Sequence, residues 1–461
     1  MTGSMVVPRS LMRRRLLGWT AAAGLLAALP SRSALAQTVN DYRALVCIYL
    51  DGGNDGENTL IPFDGPGYQN YAAIRTPASG LNIPRESLLP VQPARGGPSF
   101  GFHPACAGFK SLFDAGKLAV VANTGQLVAP VTKVALESLG APRPANLFSH
   151  NDQMLAQQSA DPTGFTRIGW GGRVADRLDP FNAGSLFPPL ISTSSARPFC
   201  NGQASIPLTV PTGPWYGLNT SGSYNANQYD ALRNAAMQEL LSHGRKNIYE
   251  TIAQVYAEKG LATVSVVAPI TRNANSVVTP FFDGLSSDIA NQLRTVALLI
   301  ESRAQTGLRR QVFFTHQGGY DTHGGQLGTH QRLLENLSKA VKAFSDAMNA
   351  LGVAQGVTTF TLSDFGRAFK PASDSGTDHG WGNYAFVTGG AVRGGDFYGA
   401  VPTMLLNGPD DLGKEGRWIP TTSLEQYGAT LCRWFGVAES DLPYIFPNIG
   451  AFPNTNLGFM S

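Results

Sequence analysis

Short apolar runs ending in polar, glycine-rich turns recur along this chain. Ala44-Leu45-Val46-Cys47-Ile48-Tyr49-Leu50 is apolar at every position and runs straight into Asp51-Gly52-Gly53-Asn54-Asp55-Gly56. A strand apolar on both faces belongs at the centre of a parallel sheet covered by helices, because alternation is lost when neither face meets water. Lys117–Ala122, Gln311–Thr315, Thr358–Leu362 and a piece near Tyr384–Val387 read as further strands. Helical spacing separates them: Pro104–Ala115, a segment after Ser149, Gly172–Leu178, Tyr229–Lys259, Ser286–Ala304, Thr329–Leu351 and Ser423–Phe435.

Alternating strands and helices predict an α/β fold with a doubly wound, mostly parallel sheet, helices on both faces, and ligands at the carboxyl ends of the strands. Between about residues 187 and 225 Pro, Gly, Ser and Thr dominate, with β-like pieces such as Ser205–Val210. This stretch reads as a loop- and β-rich insertion or cap on a single domain spanning residues 37–461. No internal repeat is visible.

The N-terminus reads differently. Arg13, Arg14 and Arg15 precede an uncharged apolar stretch, Trp19–Leu29, and Ala34-Leu35-Ala36 places small residues where a signal peptidase cuts. Residues 1–36 are therefore expected to be a cleavable signal. The adjacent arginines favour the twin-arginine export machinery as a partner, and a periplasmic or secreted location. The apolar stretch falls short of the roughly 20 residues that span a bilayer, and no later segment is long enough, so no membrane span is expected in the mature chain. Five arginines and no acid lie in residues 1–36, so the whole-chain charge of +3 falls to −2 in the mature part. That balance argues against a nucleic-acid partner. Four cysteines allow three pairings. Cys47 and Cys432 fall on apolar strand and helix faces as buried thiols, which leaves Cys106 with Cys200 as the one pairing to consider.

Polar residues gather after three strands. Asp51-Gly-Gly-Asn54-Asp55 follows the first. Gly319-Tyr-Asp321-Thr-His323 follows the strand near Thr315. Ser363-Asp364-Phe-Gly-Arg367 follows Leu362, with Gly376-Thr-Asp378-His379-Gly380 just beyond. If those strands are neighbours, Asp51, Asp321, His323, Asp364, Asp378 and His379 share one edge of the sheet. Crowded carboxylates repel, and a divalent metal ion removes the penalty: zinc or manganese for a mixed set, calcium or magnesium if carboxylates dominate. Each piece also has an ordinary role. Asp51 suits a turn, and Asp364 can cap a helix or pair with Arg367. Ser149 suits a helix N-cap. His103, His243, His316 and His330 read as structural or exposed, with His316 and His330 flanking the site. Gly408–Lys414 has P-loop spacing but lacks the Ser/Thr and carries Asp410 and Asp411, which would repel phosphate.

On Leu50-Asp-Gly-Gly-Asn-Asp-Gly-Glu-Asn-Thr59, Gly319-Tyr-Asp-Thr-His323, Ser363-Asp-Phe-Gly-Arg367 and Gly376-Thr-Asp-His-Gly380, the chain resembles an exported bacterial family known as domain of unknown function 1501. That family is grouped with the alkaline phosphatase and sulfatase superfamily. The resemblance implies an alkaline phosphatase-like sheet with a metal site at its strand ends. It also implies Asp51 as a first-strand ligand, Asp321 and His323 as the pair on one metal, Ser363-Asp364 as the motif of another, and His379 as the late histidine. It implies a nucleophile at a helix N-terminus as well, for which Ser149, with His150 beside it, is the best candidate, equally readable as a helix N-cap. Two departures stand out: Phe365 replaces a histidine ligand, and Asp321 and His323 are only two apart.

Two functions follow as expectations. One is an exported metal-dependent hydrolase of small-molecule phosphate or sulfate esters. The other is an inactive periplasmic protein of the same fold that binds a ligand or partner.

Overall fold

Three strands of the central sheet end level with one another, and that shared end builds the site. The computed structural model describes residues 41–461, apart from 165, 179, 184, 186, 196, 213–231, 233, 234, 237, 238, 242 and 244–246. The segment expected to be the export signal lies outside the described residues. In chain order the strands are β1 Arg43–Leu50, β2 Leu60–Pro62, β3 Leu89–Val91, β4 Phe100–Phe102, β5 Leu118–Gly125, β6 Leu190–Ser192, β7 Leu208–Thr209, β8 Arg310–Gln317, β9 Val357–Ser363, β10 Arg367–Pro371, β11 Thr377–His379, β12 Asn383–Gly389, β13 Asp396–Tyr398 and β14 Thr422–Ser423.

The main sheet runs β13-β5-β12-β9-β1-β8-β6-β7, with β14 paired to β5. β1 lies in its interior, parallel to β8 on one side and β9 on the other, with Leu50 level with Gln317 and with Ser363. Along β1 the side chains alternate. Ala44, Val46, Ile48 and Leu50 enter a core formed with the helices Ala107–Asp114, Asp288–Glu301 and Gln326–Ala350. Leu45, Cys47 and Tyr49 enter a second core with the helices Trp170–Ala175 and Leu424–Phe435. The absence of polar positions in this strand is thus the signature of a sheet covered on both faces. Each fully buried aliphatic side chain contributes about 1.5–3 kcal/mol.

The sequence-based elements are largely found, with informative differences. β12 is antiparallel to both β5 and β9. The chain leaves β9 at its carboxyl end, folds β10 against β11, and re-enters the sheet from that same end, so no crossover helix is needed. The stretch read as an insertion supplies β6 and β7, which extend the sheet beyond β8; in these parts it is sheet rather than cap. The helix expected over Tyr229–Lys259 is described from Ile248 to Thr271. Asn247 opens it by accepting from the Glu250 N–H. All four cysteines are buried free thiols, so the pairing of Cys106 with Cys200 is not formed. Asp411, in the Gly408–Lys414 stretch of P-loop spacing, is buried and accepts from the N–H groups of Asn407, Gly416 and Arg417. Among the described residues, no helix is long and apolar enough to cross a membrane.

Candidate metal centre

The turn after β1 depends on two glycines with positive φ, Gly52 at +111° and Gly53 at +81°. A Cβ on Gly52 would lie 2.4 Å from the Asp321 nitrogen, and one on Gly53 would lie 2.6 Å from the Phe365 ring. Glycine alone lets the β1 turn approach the loops after β8 and β9 this closely. Below this turn is a buried polar network. Asp55 caps the short helix Gly56–Thr59, pairs with buried Arg75 at 2.7 Å and accepts from Gln326. Gln326 Oε1 accepts from Thr377 and Thr322, and Arg367 donates to both the hydroxyl and the carbonyl of Thr377. These bonds tie the loops together before any ligand is present.

Asp321 Oδ1 is the focus of the site. It lies 2.8 Å from Arg367 Nη1, 2.9 Å from His323 Nε2, 3.2 Å from His150 Nε2 and 3.3 Å from His379 Nε2. The Nε2 atoms of His150 and His379 are 3.0 Å apart, and those of His323 and His379 are 2.9 Å apart. Partial burial opposes the charge of Asp321. Arg367, by hydrogen bond and charge, outweighs that and holds the carboxyl at about 2, with His150 and His323 helping.

The back nitrogens decide what faces inward. His150 Nδ1 lies 2.7 Å from Asp364 Oδ2, and His379 Nδ1 lies 2.7 Å from the Phe148 carbonyl. Carboxylate and carbonyl oxygens only accept, so each Nδ1 carries the proton. In neutral imidazoles both Nε2 lone pairs then point at each other and at Asp321. Three acceptors at about 3 Å repel unless a proton or a cation sits among them. The Asp364 hydrogen bond raises His150 above the usual histidine value, whereas burial lowers His379, with the His150 charge adding to it.

Each expected site residue can now be placed. His150, Asp321 and His379 present one ligand atom each within 4.8 Å of one another, as do His323, Asp378 and His379. Asp378 also pairs with Arg417 at 2.9 Å. Asp364, expected to ligate, stands behind His150. Its side chain is 0 % exposed, Oδ1 accepts from Tyr49 OH at 2.6 Å, and Oδ2 accepts from the Gly52 N–H and from His150. Both oxygens already accept hydrogen bonds, and Oδ2 holds the His150 ring. It does not pair with Arg367, which faces Asp321. Asp51 stands apart, 2.9 Å from His316 Nε2 and 3.7 Å from Arg197. Ser149 begins the helix His150–Ser159 without a side-chain capping bond. Phe365 cannot ligate. Its ring lies 4.7 Å from the His150 ring and 4.7 Å from the His379 ring, supporting both. His150, from a separate helix, brings an imidazole to that corner.

Sequence reasoning missed Tyr49 and Arg197 and understated His316. Tyr49 was the one hydroxyl in β1, and His316 is level with it on β8. A polar group near the end of each of two apolar strands was the available signal. His330 is buried against Asn54 Oδ1, and His103 is buried nearby.

The family described as "Protein of unknown function (DUF1501)" matches residues 224–411, which include Asp321, His323, Asp364, Asp378 and His379. The resemblance read from the sequence is borne out over that stretch. No curated protein matches the chain. Among solved structures, the chain is similar to BT1596, a 2-O GAG sulfatase, at 10 % identity over 88 % of this chain and 74 % of that one, with a TM-score of 0.30. It is similar to the PsFucS1 sulfatase from Pseudoalteromonas sp. at 9 % identity over 94 % and 74 %, with a TM-score of 0.31. It is also similar to the C-terminal periplasmic domain of EcEptC from Escherichia coli, in complex with Zn, at 10 % identity over 77 % and 75 %, with a TM-score of 0.30.

Proposed function

We propose that the chain is an exported metal-dependent hydrolase of phosphate or sulfate esters. The observation that carries this reading is the meeting of His150 and His379 Nε2 with Asp321 Oδ1, their Nδ1 protons already committed elsewhere. His150, His379 and Asp321 would hold the ion, with His323 beside them. Imidazoles outnumber carboxylates, which suits zinc or manganese better than calcium or magnesium. A divalent ion there would supply positive charge to polarise an ester oxygen. The chain's own residues do the rest. Asp364 fixes the ring of His150, Arg367 keeps Asp321 ionised, and Phe365 supports both imidazoles. Ser149, at the helix start, is the side-chain nucleophile candidate.

A second reading is an inactive protein of the same fold that keeps the ion and binds a ligand. It is favoured by Ser149, whose hydroxyl has no hydrogen-bonded base among the described residues; an unactivated serine is a weak nucleophile.

The test is to purify residues 37–461, measure bound metal, and assay aryl phosphates and sulfates beside the Asp321→Ala/His379→Ala double variant. Turnover that needs metal and is lost in the variant supports the hydrolase. Metal without turnover favours the binding protein. No metal and no turnover on any supplied ion removes the enzyme reading. The export proposal has its own test: Arg13→Lys with Arg14→Lys should stop delivery across the inner membrane, and undiminished export would refute a twin-arginine route.

A further inference from the structure

Beside the imidazoles stands a guanidinium whose donors find no good acceptor. Arg197 follows β6 on the rim of the sheet, with its side chain only 21 % exposed. Nη2 lies 3.2 Å from His316 Nε2, Nη1 lies 3.8 Å from the Met154 sulfur, and the Asp51 carboxylate is 3.7 Å from Nη1. Nε is buried without a partner. His316 Nε2 is also 2.9 Å from Asp51 Oδ2. The carboxylate can only accept, so Nε2 carries a proton and aims it at Asp51. Arg197 Nη2 therefore meets a donor. Sulfur accepts weakly, and 3.7 Å is beyond hydrogen-bond reach. A buried charged donor left unmet, as Nε is, is costly, and an incoming acceptor would complete it.

The position suits such an acceptor. Met154 lies one helical turn after His150, so both point from the same face of their helix. Asp51 precedes Gly52, whose N–H binds the same Asp364 oxygen that holds His150. Arg197 thus flanks the His150 corner of the centre.

We propose that Arg197 is the anchor for a singly charged tetrahedral oxyanion, the sulfate end of a sulfate monoester, with His316 occupying Asp51 so that the guanidinium stays available. This rests on the hydrolase reading for its ester, and the charge balance selects the class. With one divalent ion on neutral imidazoles, Arg197 and Arg367 against Asp51, Asp321 and Asp364 leave a single positive charge. A sulfate monoester neutralises it, whereas a phosphate monoester dianion overshoots. A phosphodiester shares the single charge and is separated in the test.

The test uses residues 37–461, metal-loaded, as wild type, Arg197→Ala and Arg197→Lys. Inorganic sulfate is titrated calorimetrically at pH 8. An aryl sulfate, an aryl phosphate and a diaryl phosphate are titrated as competitors, and metal content and melting temperature are measured in parallel. Wild type should bind the aryl sulfate monoanion more tightly than the aryl phosphate dianion and more tightly than the diester. Arg197→Ala should weaken sulfate by roughly tenfold or more, because a charge-assisted forked contact is lost, and Arg197→Lys should recover part of it. Metal content should not change. Equal sulfate affinity in wild type and Arg197→Ala, or lost metal in that variant, would overturn the anchor; tighter binding of the aryl phosphate or of the diester would overturn the assigned class. Binding is read without turnover, so a protein that binds sulfate through Arg197 yet hydrolyses nothing sinks only the hydrolase. If no metal is taken up, the same comparison on metal-free protein decides the anchor.

Discussion

His150 Nδ1 lies 2.7 Å from Asp364 Oδ2, and this bond decides which nitrogen of His150 faces the site. Asp364 is itself held by Tyr49 and by the Gly52 N–H, so the imidazole is oriented by a carboxylate that cannot turn away. Asp364→Asn keeps the shape but offers an amide that can also donate, which allows the other tautomer. Metal affinity should fall about 10–100-fold, the usual effect of losing such a partner. Stability should fall by about 1–3 kcal/mol because a buried hydrogen bond is mismatched. Metal titration and thermal melts check both; unchanged metal affinity would show that Asp364 does not act through His150.

Metal removal should lower the melting temperature. Free ion at about 100 times its dissociation constant stabilises the folded state by about 2.7 kcal/mol. Wild type should therefore melt at a lower temperature in chelator and recover with added zinc or manganese. The Asp321→Ala/His379→Ala variant should be indifferent to both treatments. A wild-type melt insensitive to chelator and to both ions would count against a bound metal.

Away from the site, Glu425 sets a pH dependence. It is buried at the start of the Leu424–Phe435 helix, and burial pushes its carboxyl up to about 7. The fold thus favours the protonated acid. Its contribution is intact below the unfolded value near 4.5, declines as pH rises from there to about 7, and is level above. Glu425→Gln should raise stability at pH 8 by about 1–3 kcal/mol and change little at pH 4. Denaturant melts at the two pH values make the comparison; an equal effect at both would remove the assignment.

The thiols should be silent in the native state. Cys47, Cys106, Cys200 and Cys432 are all buried and unpaired, and burial raises the thiol pKa of each. A thiol-reactive chromophore should label none of them until denaturant is added, then all four, with no prior reduction. Reductant should leave the melting temperature unchanged. Labelling of fewer than four in denaturant would reveal a disulfide.

Much of the fold was legible because its causes are local. β1 and β5 announced themselves by apolar runs, and β8 and β9 by short β-branched and aromatic stretches, since a strand buried on both faces loses its polar alternation. The helix at Leu424 announced itself by the helical spacing of Ser423–Phe435, and in the structure Ser423 and Gln426 form its capping box. The direction of β12 was not legible, because an apolar strand reads the same in either direction; only the hairpin of β10 and β11 at the end of β9 sets it.

For the site, the sequence by itself determined which chemistry was available: Asp321, His323 and His379 on loops after strands, and glycines that let those loops approach. The tertiary structure alone decided who does what. Asp364 came to lie behind His150, accepting from Tyr49, the Gly52 N–H and His150. His150, far from the other motifs in the chain, became the partner of His379, and Arg197 came to lie near Asp51 without a good acceptor. Ligation and pairing depend on distances of about 3 Å between side chains that are remote in sequence. Periodicity places a residue on a face or at a strand end, but only the packed sheet brings those ends together.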